Sequence, residues 1–199
     1  VWVEDKYDGI RAQLHRQGSE VRLYSRALNE IGDGYPEVIA GARDLAWDGI
    51  LDGELLAFRH GAVLPFLSLQ KRLARKAPSA SVLSEVPVAF VAFDLLAVGP
   101  RSRTTGSPLD APEPAPVAPE PLLEQPLRVR RARLEGLGLA EADPERFALS
   151  RLATAATTDD LERIFTEARA RRNEGQVVKD PPSAYSPGRR GNGWLKIKK

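Results

Sequence analysis

Two short segments at opposite ends of the chain carry the residue types best suited to phosphate chemistry. The first is Glu4-Asp5-Lys6-Tyr7-Asp8-Gly9, where an amine lies beside a glycine turn, and the second is Trp194-Leu195-Lys196-Ile197-Lys198. Lysine is scarce, with seven lysines against 22 arginines, so its use here favours a role that needs a primary amine or a compact point charge. We interpret the two segments as opposite sides of a triphosphate-binding site.

The strand at residues 51–55 is predicted to present two carboxylates on one face. Side chains two positions apart in a strand point the same way. Asp52 and Glu54 therefore share one face, while Leu51 and Leu55 pack on the other. An ordinary strand with a solvated polar face is the alternative interpretation.

The same rule puts Lys196 and Lys198 side by side and turns Leu195 and Ile197 inward. Two adjacent ammonium groups repel each other unless an anion lies between them, which favours a phosphate site. An exposed basic edge strand, which natural sheets use to prevent aggregation, is the alternative.

A third candidate segment places an acid at the start of an apolar strand, in Glu174-Gly175-Gln176-Val177-Val178-Lys179. Glu174 is well placed to hold a divalent cation through oxygen, alone or with Glu54. A helix-to-strand turn with glycine at the helix end explains the same spacing.

The composition excludes several classes of protein. The 199 residues, 42% of them hydrophobic, are enough to bury a core as one domain or a domain with a satellite. The chain has no cysteine, which excludes disulfides and thiolate chemistry and fits a reducing cytoplasm, and no apolar run is long enough to span a membrane. A net charge of +2 with a pI near 9.0 permits a nucleic-acid partner. The lack of methionine suggests a piece of a longer protein.

Common phosphate-binding and metal-binding motifs are missing as well. The sequence contains no GxxxxGK[ST] loop, no GxGxxG after a strand and no HExxH, and its two histidines, His15 and His60, are far apart. Phosphate groups must then be handled by lysines and arginines.

The hydrophobic periodicity predicts both strands and helices. We expect a hairpin over 9–26, a helix that begins at Pro36 with Val38, Ile39 and Ala42 inward, and a capped helix over 158–171 that begins at Thr158. Residues 100–126 hold eight of the sixteen prolines and are expected to be a flexible or polyproline-like insertion without a core. The remaining predicted elements are strands at 50–58, 86–98, 146–152, 175–180 and 194–198, and helices at 66–76 and 127–137.

Six strings in order along the chain resemble the motifs of the covalent nucleotidyltransferase superfamily, which comprises DNA ligases, RNA ligases and messenger-RNA capping enzymes. The similarity is greatest to the adenylation domain of bacterial ATP-dependent DNA ligases and extends over nearly the whole chain. The strings are KYDGIR at 6–11, YSR at 24–26, DGE at 52–54, AFD at 92–94, EGQVVK at 174–179 and WLKIK at 194–198.

The resemblance implies an α+β fold in which antiparallel β-sheets are flanked by helices. This is the ATP-grasp-like architecture of ligase adenylation domains, with the nucleotide in a groove between the sheets. Residues 1–199 would form this one domain, with the proline-rich insertion at 100–126. An N-terminal segment and a C-terminal OB-fold domain would be absent from it.

The resemblance also implies a reaction. Lys6 would attack the α-phosphate of ATP to give a lysine–AMP intermediate and pyrophosphate, and Lys196 and Lys198 would lower the pKa of the Lys6 amine. AMP would pass to the 5′-phosphate of a DNA nick, and the 3′-hydroxyl would then displace AMP and seal the nick. Mg²⁺ or Mn²⁺, bound by Glu54 and Glu174, would orient the triphosphate.

The other implied contacts are made with the nucleotide. Glu4 would read the adenine amino group, Phe93 would stack on the purine, and Arg26 and Glu54 would hold the ribose or the nick phosphate. Arg11 and Arg190 are expected phosphate contacts. The full set of expected cofactor-binding residues comprises Glu4, Tyr7, Arg11, Arg26, Glu54, Phe93, Lys179, Arg190, Lys196 and Lys198.

The implied partners are ATP and nicked double-stranded DNA, with no membrane. The resemblance suggests a cytoplasmic monomer at the bacterial nucleoid, normally joined to a C-terminal OB-fold domain. An RNA ligase or a GTP-using RNA capping nucleotidyltransferase is one alternative, and a non-catalytic nucleic-acid-binding module is another.

Overall fold

The computed structural model describes residues 1–73, 75–99, 118–189 and 191–198, which form two β-sheets flanked by helices. The strands are β1 (Trp2–Lys6), β2 (Ile10–Gln17), β3 (Glu20–Ser25), β4 (Gly49–Arg59), β5 (Ala62–Val63), β6 (Val88–Val98), β7 (Glu120–Pro121), β8 (Phe147–Leu149), β9 (Leu152–Thr154), β10 (Gly175–Lys179) and β11 (Trp194–Lys198). The α-helices are α1 (Pro36–Arg43), α2 (Phe66–Gln70), α3 (Ala80–Glu85), α4 (Leu127–Glu135), α5 (Leu139–Ala142) and α6 (Thr158–Ala170).

The sheets confirm the predicted α+β class. The larger sheet has the strand order β3-β2-β4-β6-β7, with β5 added to β4 and β8 added to β6. The smaller sheet has the order β11-β10-β1-β9. Pairing is antiparallel throughout these strands except between β6 and β8, which run parallel.

The hairpin predicted over residues 9–26 is confirmed as β2 and β3. Its turn includes Gly18 at φ +59°, a backbone conformation that glycine adopts without steric cost. Ala12 and Leu14 lie in the core, and β2 pairs along its other edge with β4. Because Arg11 lies opposite Glu54 in that pairing, the polar faces of β2 and β4 present their side chains together.

The centre of the larger sheet is the pair β4 and β6, both predicted as strands. Val88–Val98 is almost entirely buried, as expected for an apolar run covered on both faces. Helix α1 begins at Pro36 as predicted, and its Val38 and Ala42 are fully buried. Gly53 permits the close contact of the two strands, because a Cβ there would lie 2.5 Å from the Phe90 ring.

The helix predicted over 66–76 is wrong beyond residue 70. Helix α2 ends at Gln70, and the chain then turns to bury the Arg72 side chain, which is 1% exposed. The Arg72 guanidinium donates to the carbonyl oxygens of Gly34 and Val86 and pairs with Glu37. These acceptors stabilise a turn after Gln70 that a continuous helix cannot make.

Other boundaries also differ from the prediction. The segment predicted as one strand at 146–152 is two short strands, β8 and β9, which belong to different sheets. Residues 118–126 of the proline-rich segment are not a separate insertion, since β7 pairs with β6 and Leu122 is fully buried; residues 100–117 lie outside the described residues. Helix α6 begins at Thr158 as predicted, and its N-cap is Thr157, with a capping box closed by Asp160.

The smaller sheet brings the two ends of the chain together. Strand β1 pairs with β10 so that Lys6 lies opposite Gly175, and β10 pairs with β11 so that Gly175 lies opposite Lys198. Helix α6 covers this sheet through Ile164, which packs with Val3. The prediction that Leu195 and Ile197 turn inward is wrong: they are 55% and 38% exposed, because β11 is the edge strand of this sheet.

None of the helices in the described ranges is long and apolar enough to cross a membrane.

Candidate active site

A cavity of about 520 Å³ opens between the two sheets. Residues from β1, β10 and β11 form one side, and residues from β2, β4 and β6 and from the end of β3 form the other. Nine of the predicted site residues line it, namely Glu4, Lys6, Tyr7, Arg11, Arg26, Glu54, Phe93, Lys179 and Lys196. Glu174 and Lys198 lie just outside the lining, and Arg190 is outside the described residues.

Lys6 is the last residue of β1, and its side chain is only 17% exposed. Burial lowers the pKa of the Lys6 amine, and the nearby charges of Lys196 and Lys198 lower it further, against opposing contributions from Glu54 and Asp8. A lysine with a lowered pKa has a larger neutral fraction near neutral pH, and the neutral amine is the nucleophile.

Glu174 connects two of the lysines at this end of the cavity. Its carboxylate accepts a hydrogen bond from Lys6 Nζ, and its Oε1 lies 3.2 Å from Lys198 Nζ. The position is set by the backbone, because the N–H of Glu174 donates to the carbonyl oxygen of Lys6 at 2.8 Å. Glu174, predicted only as a ligand of a divalent cation, is thus paired in the structure with Lys6 and Lys198.

Glu54 faces the cavity from β4. Burial raises the pKa of Glu54 to about 7, although the positive charges of Lys6 and Arg11 oppose that shift and Asp52 adds to it. The carboxyl group is thus poised to change its protonation state near neutral pH.

Arg11 is fixed by two acceptors that lie behind the cavity wall. Its Nε and Nη2 donate to the two carboxylate oxygens of Asp52 at 3.1 Å and 2.6 Å, and Nη2 also donates to the Tyr185 hydroxyl at 2.9 Å. Asp52 is fully buried, so it supports Arg11 and does not line the cavity. Tyr185 was not predicted as a site residue, because its contacts are more than 130 residues away in sequence.

A buried ion pair lines the inner end of the cavity. Lys179 Nζ donates to Glu4 Oε2 at 2.8 Å, and both side chains are almost fully buried. The Trp194 ring centroid lies 4.0 Å from Lys179 Nζ, and the Phe93 centroid lies 5.0 Å from it. Phe93 and Trp194 meet edge to face at 5.9 Å, so Trp194 supports the ring that is expected to stack on a purine.

The remaining predicted residues lie at the margins of the cavity. The Tyr7 hydroxyl accepts a hydrogen bond from the Arg151 N–H at 3.2 Å, and burial raises the pKa of Tyr7 to about 12. Arg26 and Lys196 are exposed and present positive charge to the cavity. A larger cavity of about 750 Å³ lies between α6 and β11 and contains Lys198 but no other predicted site residue.

The residues present fit a magnesium ion bound mainly by substrate. Within the described part of the chain, no cluster of three or more His, Cys, Asp or Glu side chains is arranged to hold a metal. Mg²⁺, however, is commonly bound by one or two carboxylates together with substrate phosphates and water. Glu54 and Glu174 supply two carboxylates beside Lys6, which is the donor set expected for that mode of binding.

The sequence matches the model of a known family, described as ATP dependent DNA ligase domain, over residues 1–198. The chain belongs to this family. The match confirms the resemblance inferred from the six motifs and favours a DNA ligase over an RNA capping enzyme or a non-catalytic module.

Similar proteins carry the same description. The chain is 41% identical over 225 residues to a probable DNA ligase of Opitutus terrae, covering 100% of this chain and 20% of that protein. It is 40% identical to a probable DNA ligase of Koribacter versatilis, covering 99% of this chain and 34% of that protein. The ligase domain therefore spans between a fifth and about a third of the length of these relatives.

Solved structures of ligases have the same fold. The ligase domain of Mycobacterium tuberculosis LigD superposes with a TM-score of 0.71 at 28% identity, covering 99% of this chain and 53% of that one. A mycobacterial DNA ligase D complexed with ATP and MES gives 0.70 at 28% identity, with 99% and 54% coverage. The Chlorella virus DNA ligase-adenylate gives 0.65 at 15% identity, covering 99% of this chain and 61% of that one, a similarity of fold alone.

Proposed function

We propose that this ligase domain transfers AMP from ATP to its own Lys6 and then to the 5′-phosphate of nicked double-stranded DNA. The observation that carries the proposal is a partly buried lysine of lowered pKa at the end of β1, facing a nucleotide-sized cavity. In the first step the neutral Nζ forms a bond to the α-phosphorus of ATP, and the bond from that phosphorus to the pyrophosphate oxygen breaks. The amine proton leaves to solvent.

The base and ribose would be held at the inner end of the cavity. Phe93 offers an aromatic face for the purine, supported edge-on by Trp194. Glu4 Oε2 is already bonded to Lys179, but among the described residues Oε1 has only Arg131 near it, at 3.7 Å, so an acceptor position remains for the adenine amino group. Tyr7 lines the same cavity through its partly buried ring.

The phosphates would meet the cationic side of the cavity. Lys196, Arg26 and Arg11 line it, and Lys198 and Arg190 are proposed as further phosphate contacts. Glu54 and Glu174 are the proposed ligands of Mg²⁺ or Mn²⁺, which would neutralise phosphate charge when bound. Glu174 would then have a second role, because it pairs with Lys6 in the structure and would release that amine on binding a cation.

We further propose that the domain acts on nicked DNA as part of a longer ligase. We infer a monomer that works in the bacterial cytoplasm at the nucleoid, joined to a C-terminal OB-fold domain. We expect residues 1–199 alone to adenylate slowly and to seal nicks poorly, because the downstream domain would orient the pyrophosphate leaving group.

Incubation with α-labelled ATP and Mg²⁺, followed by denaturing electrophoresis and intact-mass measurement, tests the proposal. We expect an acid-labile gain of one AMP that is lost in Lys6→Ala and retained in the control Lys71→Ala, whose side chain is exposed and pairs with Glu85. Labelled GTP in place of ATP tests which nucleotide is used, and Mn²⁺ in place of Mg²⁺ tests which metal ion supports the reaction. A label that persists in Lys6→Ala, or appears with GTP but not ATP, would refute the assignment.

A further inference from the structure

We propose that Tyr185 is a positioning residue that holds the Arg11 guanidinium in the orientation required to bind a phosphoryl group in the cavity. This inference rests on the proposed function and adds a residue to it from a segment that no motif assigns a role. The Tyr185 hydroxyl lies behind Arg11, where it contacts both Arg11 and its carboxylate partner.

The hydrogen bonds of Arg11 leave one edge of its guanidinium for a ligand. A guanidinium has five N–H donors in a rigid plane. Nε donates to Asp52 Oδ1, and Nη2 donates to both Asp52 Oδ2 and the Tyr185 hydroxyl. Among the described residues, neither hydrogen of Nη1 has a hydrogen-bond partner, and Arg11 lines the cavity with its side chain 38% exposed. The two-hydrogen edge at Nη1 is therefore available to a phosphate oxygen.

Tyr185 makes this arrangement more rigid than an arginine–aspartate pair alone. Its hydroxyl donates to Asp52 Oδ2 at 2.7 Å while accepting from Arg11 Nη2, so the three groups form a closed ring of hydrogen bonds. Burial and the Asp52 carboxylate raise the pKa of Tyr185, so the hydroxyl remains a donor throughout the working pH range.

The position of Tyr185 is fixed independently of Arg11. Its N–H donates to the carbonyl oxygen of Leu123 at 2.8 Å, and the carbonyl oxygen of Ser183 accepts from the N–H of Leu127 at 2.8 Å. Its ring lies 5.9 Å from the Arg130 guanidinium and meets Trp194 edge to face at 6.2 Å. The hydroxyl is therefore held in place by backbone that is anchored near α4. This fixed position allows it to restrain the long, flexible side chain of Arg11.

The first test measures the orientation of Arg11 without any reaction. Tyr185→Phe removes the hydroxyl and keeps the ring, and Tyr35→Phe is the matched control, since Tyr35 is buried and its ring also lies against an arginine, Arg72. We expect hydrogen exchange of the Arg11 Nε–H, followed by NMR, to accelerate about five- to tenfold in Tyr185→Phe, the factor for loss of one hydrogen bond in the ring, and to stay unchanged in Tyr35→Phe. Unchanged exchange in Tyr185→Phe would overturn the proposal.

The second test asks whether Tyr185 acts through Arg11. We expect Tyr185→Phe to lower kcat/KM for self-adenylation about five- to tenfold when Arg11 is present, and less than twofold in the Arg11→Lys background, where the planar guanidinium is missing. Equal effects in both backgrounds would show a merely structural role and overturn the proposal. If the wild-type domain forms no adenylate, the proposed function fails, while the exchange measurement still decides the role of Tyr185.

Discussion

The buried ion pair between Asp94 and Arg130 allows a sharp test of what stabilises β6, the strand that carries Phe93. Arg130 Nε and Nη2 donate to the two carboxylate oxygens of Asp94 at 2.8 Å and 2.9 Å, and both side chains are 0% exposed. Burial raises the pKa of Asp94 even though Arg130 opposes it. Arg130→Met keeps most of the side-chain volume and removes the only charge paired with that carboxylate among the described residues.

The expected cost follows from this geometry. Removal of one partner of a buried ion pair leaves an uncompensated buried charge and typically costs about 3–5 kcal/mol. For a domain of this size each kcal/mol lowers Tm by about 2–4 °C, so Tm should fall by about 6–20 °C. Arg133→Met, on the same helix, is the matched control, because Arg133 is 41% exposed and pairs with Glu120, which is 58% exposed. Its cost should be about 0–1 kcal/mol.

Urea unfolding followed by circular dichroism measures the free energy of unfolding of both variants, and the comparison requires that their m-values be equal. The deficit of Arg130→Met should shrink as pH falls, because protonation of Asp94 removes the buried charge. Asp94→Asn in the Arg130→Met background should restore part of the loss for the same reason. If Arg130→Met costs no more than Arg133→Met, or if its deficit is independent of pH, the reasoning from burial is wrong.

Three further outcomes are expected. The pKa of Glu54 is raised from 4.5 to about 7 in the fold, so the folded state binds more protons between these values and stability should fall as pH rises through that window; in Glu54→Gln, Tm followed from pH 4 to 8 should lose this part of the decline. Lys196→Ala should raise the pKa of Lys6 and move the adenylation pH–rate profile towards alkaline pH, and an unmoved profile would contradict the assigned cause. Thr157→Ala should cost about 1 kcal/mol because it removes the cap of α6, whereas Thr158→Ala should cost less; equal losses measured by urea unfolding would place the cap wrongly.

Strand alternation predicted correctly which side chains are buried wherever the chain itself covers one face of the strand. Leu51 and Leu55 are fully buried, and Glu54 faces the cavity, as the period of two requires. The same rule was wrong for Leu195 and Ile197, because β11 is the edge of its sheet and much of its apolar face is exposed. Periodicity shows which side chains share a face, but not whether another element covers that face.

Long-range polar contacts account for the other differences. The end of α2 depends on where Arg72 finds carbonyl acceptors, and these belong to Gly34 and Val86 in separate segments. Tyr185 carries no local signal of its contact with Asp52, because the two residues are 133 positions apart. Such contacts form only when the sheets are assembled, so the local sequence pattern does not predict them.

The register of the smaller sheet explains why the site needs both ends of the chain. The pairing of Lys6 with Gly175 sets Glu174 beside the amine, and the pairing of Gly175 with Lys198 brings the lysines of β11 to the same place. Gly175 makes this approach possible, since a Cβ there would lie 2.1 Å from the carbonyl oxygen of Ile197. A side chain at this position would push β11 away and weaken the positive field that lowers the pKa of Lys6. The glycine in the EGQVVK motif therefore supports the proposed chemistry of Lys6 through strand spacing.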